Sequence, residues 1–329
     1  MSGDFKALVV DKTESDFTIG INNISINDLP AGEVLIKVAY SSINYKDGLA
    51  SIPEGKIVRS YPFVPGIDLA GVVVSSEDPR YREGDQVIAT SYEIGVSHYG
   101  GYSEYARIPA DWIVPLPENL SLKEAMIYGT AGLTAALSVQ RLEENGLTPE
   151  KGKVLVTGAT GGVGSISVAI LAKRGYDVVA STGKESEHDY LHTLGAKEVV
   201  SREEVFNGKA KALDKQVWAG AVDPVGGESL AAILSKIHYN GSVAVSGLTG
   251  GGNVPTTVFP FILRGINLLG IDSVYCPMEV RKPLWKRMAS DFKPEVLESI
   301  SKEISLEELP QTLPLILQGR AKGRFIVKM

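Results

Sequence analysis

The run Val154-Leu-Val-Thr-Gly158-Ala159-Thr160-Gly161-Gly162-Val163-Gly164 constrains the fold more than any other stretch of this 329-residue chain. An apolar, β-branched segment enters a glycine cluster. A small-residue helix, Ser165 to Arg174, leaves it and stops at Gly175. Strand, tight turn and helix in that order predict the opening unit of a dinucleotide-binding sheet. The turn reads A-x-G-x-x-G on Ala159, Gly161 and Gly164. Gly161 lets the backbone approach a pyrophosphate, Gly164 lets the helix pack on the strand, and the open N–H groups at the helix start attract the anion.

The next strand, around Asp177-Val-Val-Ala-Ser181, bears on which dinucleotide. A site for NAD calls for an acidic side chain about 20 residues past the glycines, holding the ribose 2′-hydroxyl. Here Ser181-Thr182-Gly183-Lys184 occupy that place, and no carboxylate comes before Glu185. Hydroxyls and a cation suit a 2′-phosphate, which a carboxylate would repel. The expectation is NADP.

Strand and helix patterns alternate through 153–157, 177–181, 197–200, 217–223, 242–247 and 267–272, the order of a doubly wound parallel sheet. Before them, residues 1–124 carry short β-branched runs at 7–10, 34–39, 71–74 and 86–89, separated by turn signals such as Pro65-Gly66, as in a small barrel-like β domain. Helical spacing covers 123–143, with a glycine-bearing break at Gly129-Thr130-Ala131-Gly132. Helical segments are expected near 279–290 and 294–301, and a last strand over 323–329. Residues 1–124 and 274–329 should therefore form one domain, with residues 125–273 inserted as the NADP-binding domain.

Bulk properties narrow the function classes. A formal net charge of −6 argues against a polyanion-binding surface, so no nucleic-acid partner is expected. No apolar run approaches the ~20 residues that span a bilayer, and the amino terminus lacks a basic-then-apolar signal, so a cytoplasmic protein is expected. The lone Cys276 fits a reducing compartment.

Five segments together resemble one family: Ser41-Ser-Ile-Asn44-Tyr45-Lys46-Asp47, Pro65-Gly-Ile-Asp68-Leu-Ala-Gly71, Gly129-Thr-Ala-Gly-Leu-Thr134, Gly158 to Gly164, and Pro255 to Arg264. They are similar to medium-chain dehydrogenase/reductases of the quinone oxidoreductase type, nearest the subgroup of quinone oxidoreductases and acryloyl-CoA reductases, over essentially the whole length. The resemblance implies a Rossmann doubly wound parallel sheet plus a GroES-like β-barrel catalytic domain. It also implies a homodimer paired through the edge strand around Asn267-Leu-Leu269-Gly-Ile271. The zinc-dependent branch places cysteine at Asn44, Gly-His-Glu at Gly66-Ile67-Asp68 and a four-cysteine loop within residues 77–111. None of those ligands stands here, and the four histidines lack ligand spacing, so no metal is expected.

For site residues the resemblance implies the following. Tyr45 and Thr130 approach the nicotinamide end, with Leu248, Ile262 and Ser273. Thr160, Gly161, Gly162, Val163 and Gly164 hold the pyrophosphate. Thr182, Gly183 and Lys184 take the 2′-phosphate, with Arg202 a second cation. Asn44, Tyr45 and Asp47 are the catalytic candidates: a tyrosine phenol or an asparagine amide can donate to a developing oxyanion, while Asp47 suits orienting its neighbours. Hydride addition to a carbonyl-conjugated C=C bond fits such a metal-free site, and the acceptor would be an enoyl thioester such as acryloyl-CoA, an enone, or a quinone. Lys56 with Arg59, or Lys322 with Arg324, could meet CoA phosphates. An alternative of another class is a low-turnover NADPH-binding sensor or structural protein.

Overall fold

A computed structural model describes residues 3–329. They divide into two compact units. The first holds the chain through Thr130 with Val274–Lys282 and Glu298–Met329, and the second holds Ala131–Ser273 with Pro283–Leu297.

In the first unit, β1 (Asp4–Lys12) and β2 (Phe17–Ser25) form an antiparallel pair. The longer sheet draws on β3 (Val34–Ser42), β4 (Asp68–Ser76), β5 (Gln86–Thr90), β6 (Tyr105–Ile108) and β7 (Ile113–Pro115). Helix α1 (Tyr45–Ala50) follows β3 directly. The apolar side chains of β3, β4, β5 and β6, among them Val34, Ile36, Leu69, Val87 and Ile108, close on one another as a core. Helix α2 (Leu122–Glu144) is broken at Gly129, whose φ of 50° and ψ of −154° are not helical. The glycine-bearing break read from the sequence is real.

In the second unit, β8 (Val154–Val156), β9 (Val178–Ser181), β10 (Glu198–Val200), β11 (Trp218–Asp223), β12 (Ile237–Val245) and β13 (Asn267–Gly270) form one parallel sheet. Its order is β10-β9-β8-β11-β12-β13. Order reverses between β8 and β11, the switch point at whose carboxyl ends such sheets bind dinucleotides. Helices α3 (Gly162–Lys173), α4 (His188–Thr193), α5 (Arg202–Val205), α6 (Gly227–Lys236) and α7 (Phe259–Arg264) alternate with the strands.

Helix α8 (Met278–Met288) opens the tail, and β14 (Ser301–Ser305), α9 (Leu309–Leu317) and β15 (Arg324–Lys328) complete it. The large sheet runs β14-β15-β3-β4-β5-β7, with β6 beside β3.

Three expectations need correction. The boundary between the units lies after Thr130, at the break within α2, rather than after residue 124. Residues 283–297 join the nucleotide-type unit, not the front domain, because Arg287 pairs with Glu143 at 3.1 Å and Lys173 with Glu295 at 3.1 Å. The helix expected over 294–301 is a single 3-10 turn, Leu297–Ile300, followed by β14, which pairs in parallel with β15. Along β13 the backbone N–H groups alternate between the neighbouring strand and the free edge. The Ile271 N–H donates to the Val245 carbonyl, so by alternation Leu269 also faces β12, and Leu268 and Gly270 face the free edge. Among the described residues no helix is long and apolar enough to cross a membrane.

Candidate active site

In the first unit the sequence candidates converge on a buried polar network. Asn44 caps α1: its backbone N–H donates to Asp47 Oδ2 at 2.8 Å. The other Asp47 oxygen accepts the Ile67 N–H at 2.9 Å, tying the start of α1 to the segment before β4. Asp68, at the start of β4, is fully buried. It accepts from Ser42 Oγ at 2.7 Å, from Asn44 Nδ2 at 2.7 Å, and from the Thr130 N–H and Oγ1 at 2.9 and 2.5 Å.

Arg324, on β15, supplies the positive charge. Its guanidinium donates to the carbonyls of Ile127 and Ile43, to Asn44 Oδ1 at 3.1 Å and to Ser42 Oγ at 2.7 Å. It stands 3.6 Å from Asp68 Oδ2, so Ser42 bridges the pair, accepting from one and donating to the other. Gly129 is obligatory beside this cluster. A Cβ there would lie 2.4 Å from Asp68 Oδ2 and 2.6 Å from Ser42 Oγ, and its φ is positive. Burial and the neighbouring Asp68 push the Asp47 carboxyl up to about 7, against three donors that pull it down. Burial also lowers the Arg324 guanidinium.

This geometry reassigns two of the three catalytic candidates. Asn44 points its amide nitrogen at Asp47 and Asp68 and its amide oxygen at Arg324, so neither amide hydrogen is left to meet an oxyanion. Asp47 is fully buried, with both oxygens accepting. Tyr45 alone projects outward, 50% exposed. Arg324 is likewise corrected: buried and committed to this network, it cannot meet a CoA phosphate. Lys56, Arg59 and Lys322 are exposed. Asp68 and Ser42 had no assigned role in the sequence reading. The signal for Asp68 and Arg324 was a charge opening each strand, negative in β4 and positive in β15.

In the second unit, Gly161 caps α3, and Gly162, Val163 and Gly164 form its first turn. A Cβ on Gly164 would lie 2.3 Å from the Gly158 carbonyl and 2.7 Å from Ala159 Cα, the close helix-on-strand approach read from the sequence. Thr160 is buried in the turn. At the carboxyl end of β9 the Lys184 N–H donates to Thr182 Oγ1 at 3.1 Å. Arg202, the first residue of α5, lies against Gly183, its Nε 2.9 Å from where a Cβ would be. Thr182, Gly183, Lys184 and Arg202 thus share one corner, and the strand end itself bears no carboxylate. At the other half of the sheet Asp223 accepts from Thr157 Oγ1 and from the Gly226 N–H, linking the ends of β8 and β11 across the switch point. Leu248 and Ile262 are 70% and 68% exposed, and Ser273 Oγ bonds Thr134 Oγ1 at 2.7 Å.

Comparison with known proteins agrees with this architecture. A family model described as an alcohol dehydrogenase GroES-like domain matches residues 30–118, and one described as a zinc-binding dehydrogenase matches residues 162–290. YhfP of Bacillus subtilis, which carries a quinone oxidoreductase name, is 66% identical over 330 residues, 100% of each chain. Its crystal structure with NAD bound superimposes with a TM-score of 0.98, covering 99% of this chain and 100% of that one. The acrylyl-CoA reductase AcuI of Ruegeria pomeroyi is 50% identical over 325 residues, 98% of each. The yhdH oxidoreductase of Salmonella enterica in complex with NADP, at 45% identity, gives a TM-score of 0.96 over 98% of this chain and 99% of that one.

The zinc in one family description does not fit the residues present. Asn44 and Ile67 stand at two ligand positions of the zinc-dependent branch, an amide and a hydrocarbon where thiolate and imidazole are needed. Asp68 is already saturated by donors, and a buried guanidinium lies beside it. Among the described residues no three His, Cys, Asp or Glu side chains gather as a metal site. In sheet order, glycine turn, front domain and full-length likeness, the chain belongs to the medium-chain dehydrogenase/reductase family of oxidoreductases, in the group that includes quinone oxidoreductases and acrylyl-CoA reductases.

Proposed function

We propose that the protein is an NADPH-dependent reductase of carbonyl-conjugated C=C bonds, with acryloyl-CoA or a related enoyl thioester as its acceptor. The observation that carries this reading is the full-length, 50% likeness to an acrylyl-CoA reductase. The YhfP structure holds NAD and the yhdH structure NADP. The preference for NADP here rests on Thr182, Lys184 and Arg202 sharing the ribose corner, where a 2′-phosphate finds cations and hydroxyls.

The cofactor, when bound, supplies hydride to the acceptor's β-carbon, and a solvent proton at the α-carbon completes the reduction. The protein's own part is positioning. The N–H groups at the start of α3 meet the pyrophosphate. Asp68 fixes Thr130 through two donors, and Asp47 with Asn44 fixes the turn that presents Tyr45. We assign Asn44, Asp47, Asp68 and Arg324 as positioning residues and Tyr45 as a cofactor contact. We further propose a homodimer in which the free edge of β13 pairs with its twofold copy.

A second reading, reduction of quinones, is favoured by the name of the 66% identical relative. Steady-state NADPH oxidation against acryloyl-CoA and 1,4-benzoquinone, side by side, separates the two. A higher kcat/KM for acryloyl-CoA is expected; the reverse order would install the quinone reading, and background rates with both would point to a binding protein with little turnover.

A further inference from the structure

Strand β5 ends at Thr90, and the next two residues, Ser91 and Tyr92, both take left-handed backbone, with φ of 66° and 50°. Among the described residues the other non-glycine positions with positive φ are Lys56, Asn119 and Asn240, and each stands alone. Two in succession cost stability and persist only where the surroundings impose them. Those surroundings lie wholly within the first unit. The Ser91 N–H donates to the Ile67 carbonyl at 2.8 Å, and the Tyr92 N–H to the Val274 carbonyl at 3.2 Å. Arg281, fully buried, donates to the Thr90 carbonyl at 3.0 Å and to its hydroxyl at 2.9 Å. The same guanidinium lies 4.5 Å from the centre of the Tyr92 ring, which stacks on Trp112 with ring centres 5.7 Å apart. What this turn delivers is the Ser91 hydroxyl, buried and 2.8 Å from Thr130 Oγ1. Thr130 donates its own hydroxyl proton to Asp68, so Ser91 is the donor of that pair. A side chain bonded on both sides is locked in one rotamer, which is how a ligand contact is held to narrow tolerance.

We propose that Ser91 is a positioning residue for the bound dinucleotide, acting through Thr130, and that the strained Ser91–Tyr92 turn is kept because it aims this hydroxyl. The inference rests on the reading of Thr130 as a contact at the nicotinamide end. It explains why a serine, rather than glycine, stands at a position whose backbone suits glycine better.

NADPH and 2′,5′-ADP, which carries only the adenosine half, are titrated against wild type, Ser91→Ala, Ser91→Gly, Thr130→Val and the double variant Ser91→Ala with Thr130→Val. Thermal unfolding without ligand is followed alongside. Ser91→Ala should raise the NADPH Kd about fivefold, the scale of one hydrogen bond, and leave the 2′,5′-ADP Kd unchanged. Glycine accepts the positive φ, so Ser91→Gly should melt at or above Ser91→Ala yet weaken NADPH to the same extent. Affinity then follows the hydroxyl and not the stability of the fold. The double variant should bind NADPH no more weakly than Thr130→Val alone, because Ser91 acts only through Thr130. Unchanged NADPH affinity in Ser91→Ala, affinity losses that track Tm, or additive losses in the double variant would each overturn the proposal. Wild-type affinity in Thr130→Val would overturn the reading of Thr130 and the proposal with it. Wild-type protein that binds neither ligand would instead overturn the cofactor reading itself.

Discussion

The Asp68 carboxylate receives both the backbone N–H and the hydroxyl of Thr130, at 2.9 and 2.5 Å, and so holds the break in α2 against the head of β4. Because the Thr130 hydroxyl proton points at Asp68, the 2.8 Å contact with Ser91 is one in which Ser91 donates. The candidate nicotinamide contact is thus set from beneath by a carboxylate whose charge Arg324 balances through Ser42.

That arrangement predicts strong coupling between Asp68 and Arg324. Removing one member of a buried pair leaves an uncompensated charge and costs about 3–5 kcal/mol, whereas replacing both with apolar residues costs much less than the sum. Asp68→Ala and Arg324→Met should each lower stability by that order in urea unfolding, and the double variant should recover part of the loss. Strictly additive losses would show that the two act independently.

Asp47 predicts a pH dependence of known sign. Its folded-state value near 7 lies above the roughly 3.9 of an unfolded aspartate, so the folded state disfavours its ionised form. The stabilising contribution is complete below about pH 4 and is lost as pH rises through about 7. Asp47→Asn lacks this dependence. The variant's Tm minus that of wild type should therefore climb between about pH 4 and 7 and level off above. A difference independent of pH would mean that the donors from Asn44 and Ile67 hold the carboxyl in its ordinary range.

What was legible in the sequence is what is locally encoded. The Gly158–Gly164 turn needs glycine for close approach within a few residues, and it was read correctly, as was the break at Gly129. The elements that escaped depend on distant partners. The strand β2 reads Phe17-Thr-Ile-Gly-Ile-Asn-Asn-Ile-Ser, with polar residues and a glycine that dilute its alternation, and it exists by pairing with β1. The segment Ser301–Ser305 is a strand because β15 lies beside it, not because of its own propensity. Asn44 was read as a donor because its type permits it. Only the fold reveals that two carboxylates and a guanidinium already occupy its amide.

The ribose corner predicts cofactor choice. Lys184→Ala should weaken NADPH binding by about 1.5–3 kcal/mol through loss of a charge-assisted contact, and leave NADH nearly unchanged. Equilibrium titrations with both cofactors decide it. Equal losses for the two would move Lys184 away from the 2′-phosphate.

The edge of β13 predicts assembly. An exposed strand edge with apolar side chains is a liability that twofold pairing with a second copy removes. The Leu268 N–H faces that edge, while Leu269 faces β12. Leu268→Pro should therefore deprive the partner of a ladder bond without breaking the β12 ladder. Sedimentation should show a wild-type dimer at micromolar concentration and a monomeric or strongly weakened variant. A wild-type monomer would end the proposal.

For Tyr45, contact and catalysis make different forecasts. A phenol that stabilised a developing enolate would be missed badly: Tyr45→Phe would lower kcat and kcat/KM together by about 10²–10³, the scale of one lost oxyanion donor. With Asn44 committed to Asp47 and Asp68, Tyr45 is the one of the three candidates that projects outward, half exposed. Water itself can protonate an enolate, which weakens the demand for a phenolic donor. A ring packed against the cofactor keeps most of its contact in phenylalanine and loses it in alanine. We therefore expect Tyr45→Phe to retain most of its turnover and Tyr45→Ala to raise the KM for NADPH. A hundredfold drop in kcat for the phenylalanine variant, with NADPH affinity intact, would transfer Tyr45 from contact to catalysis.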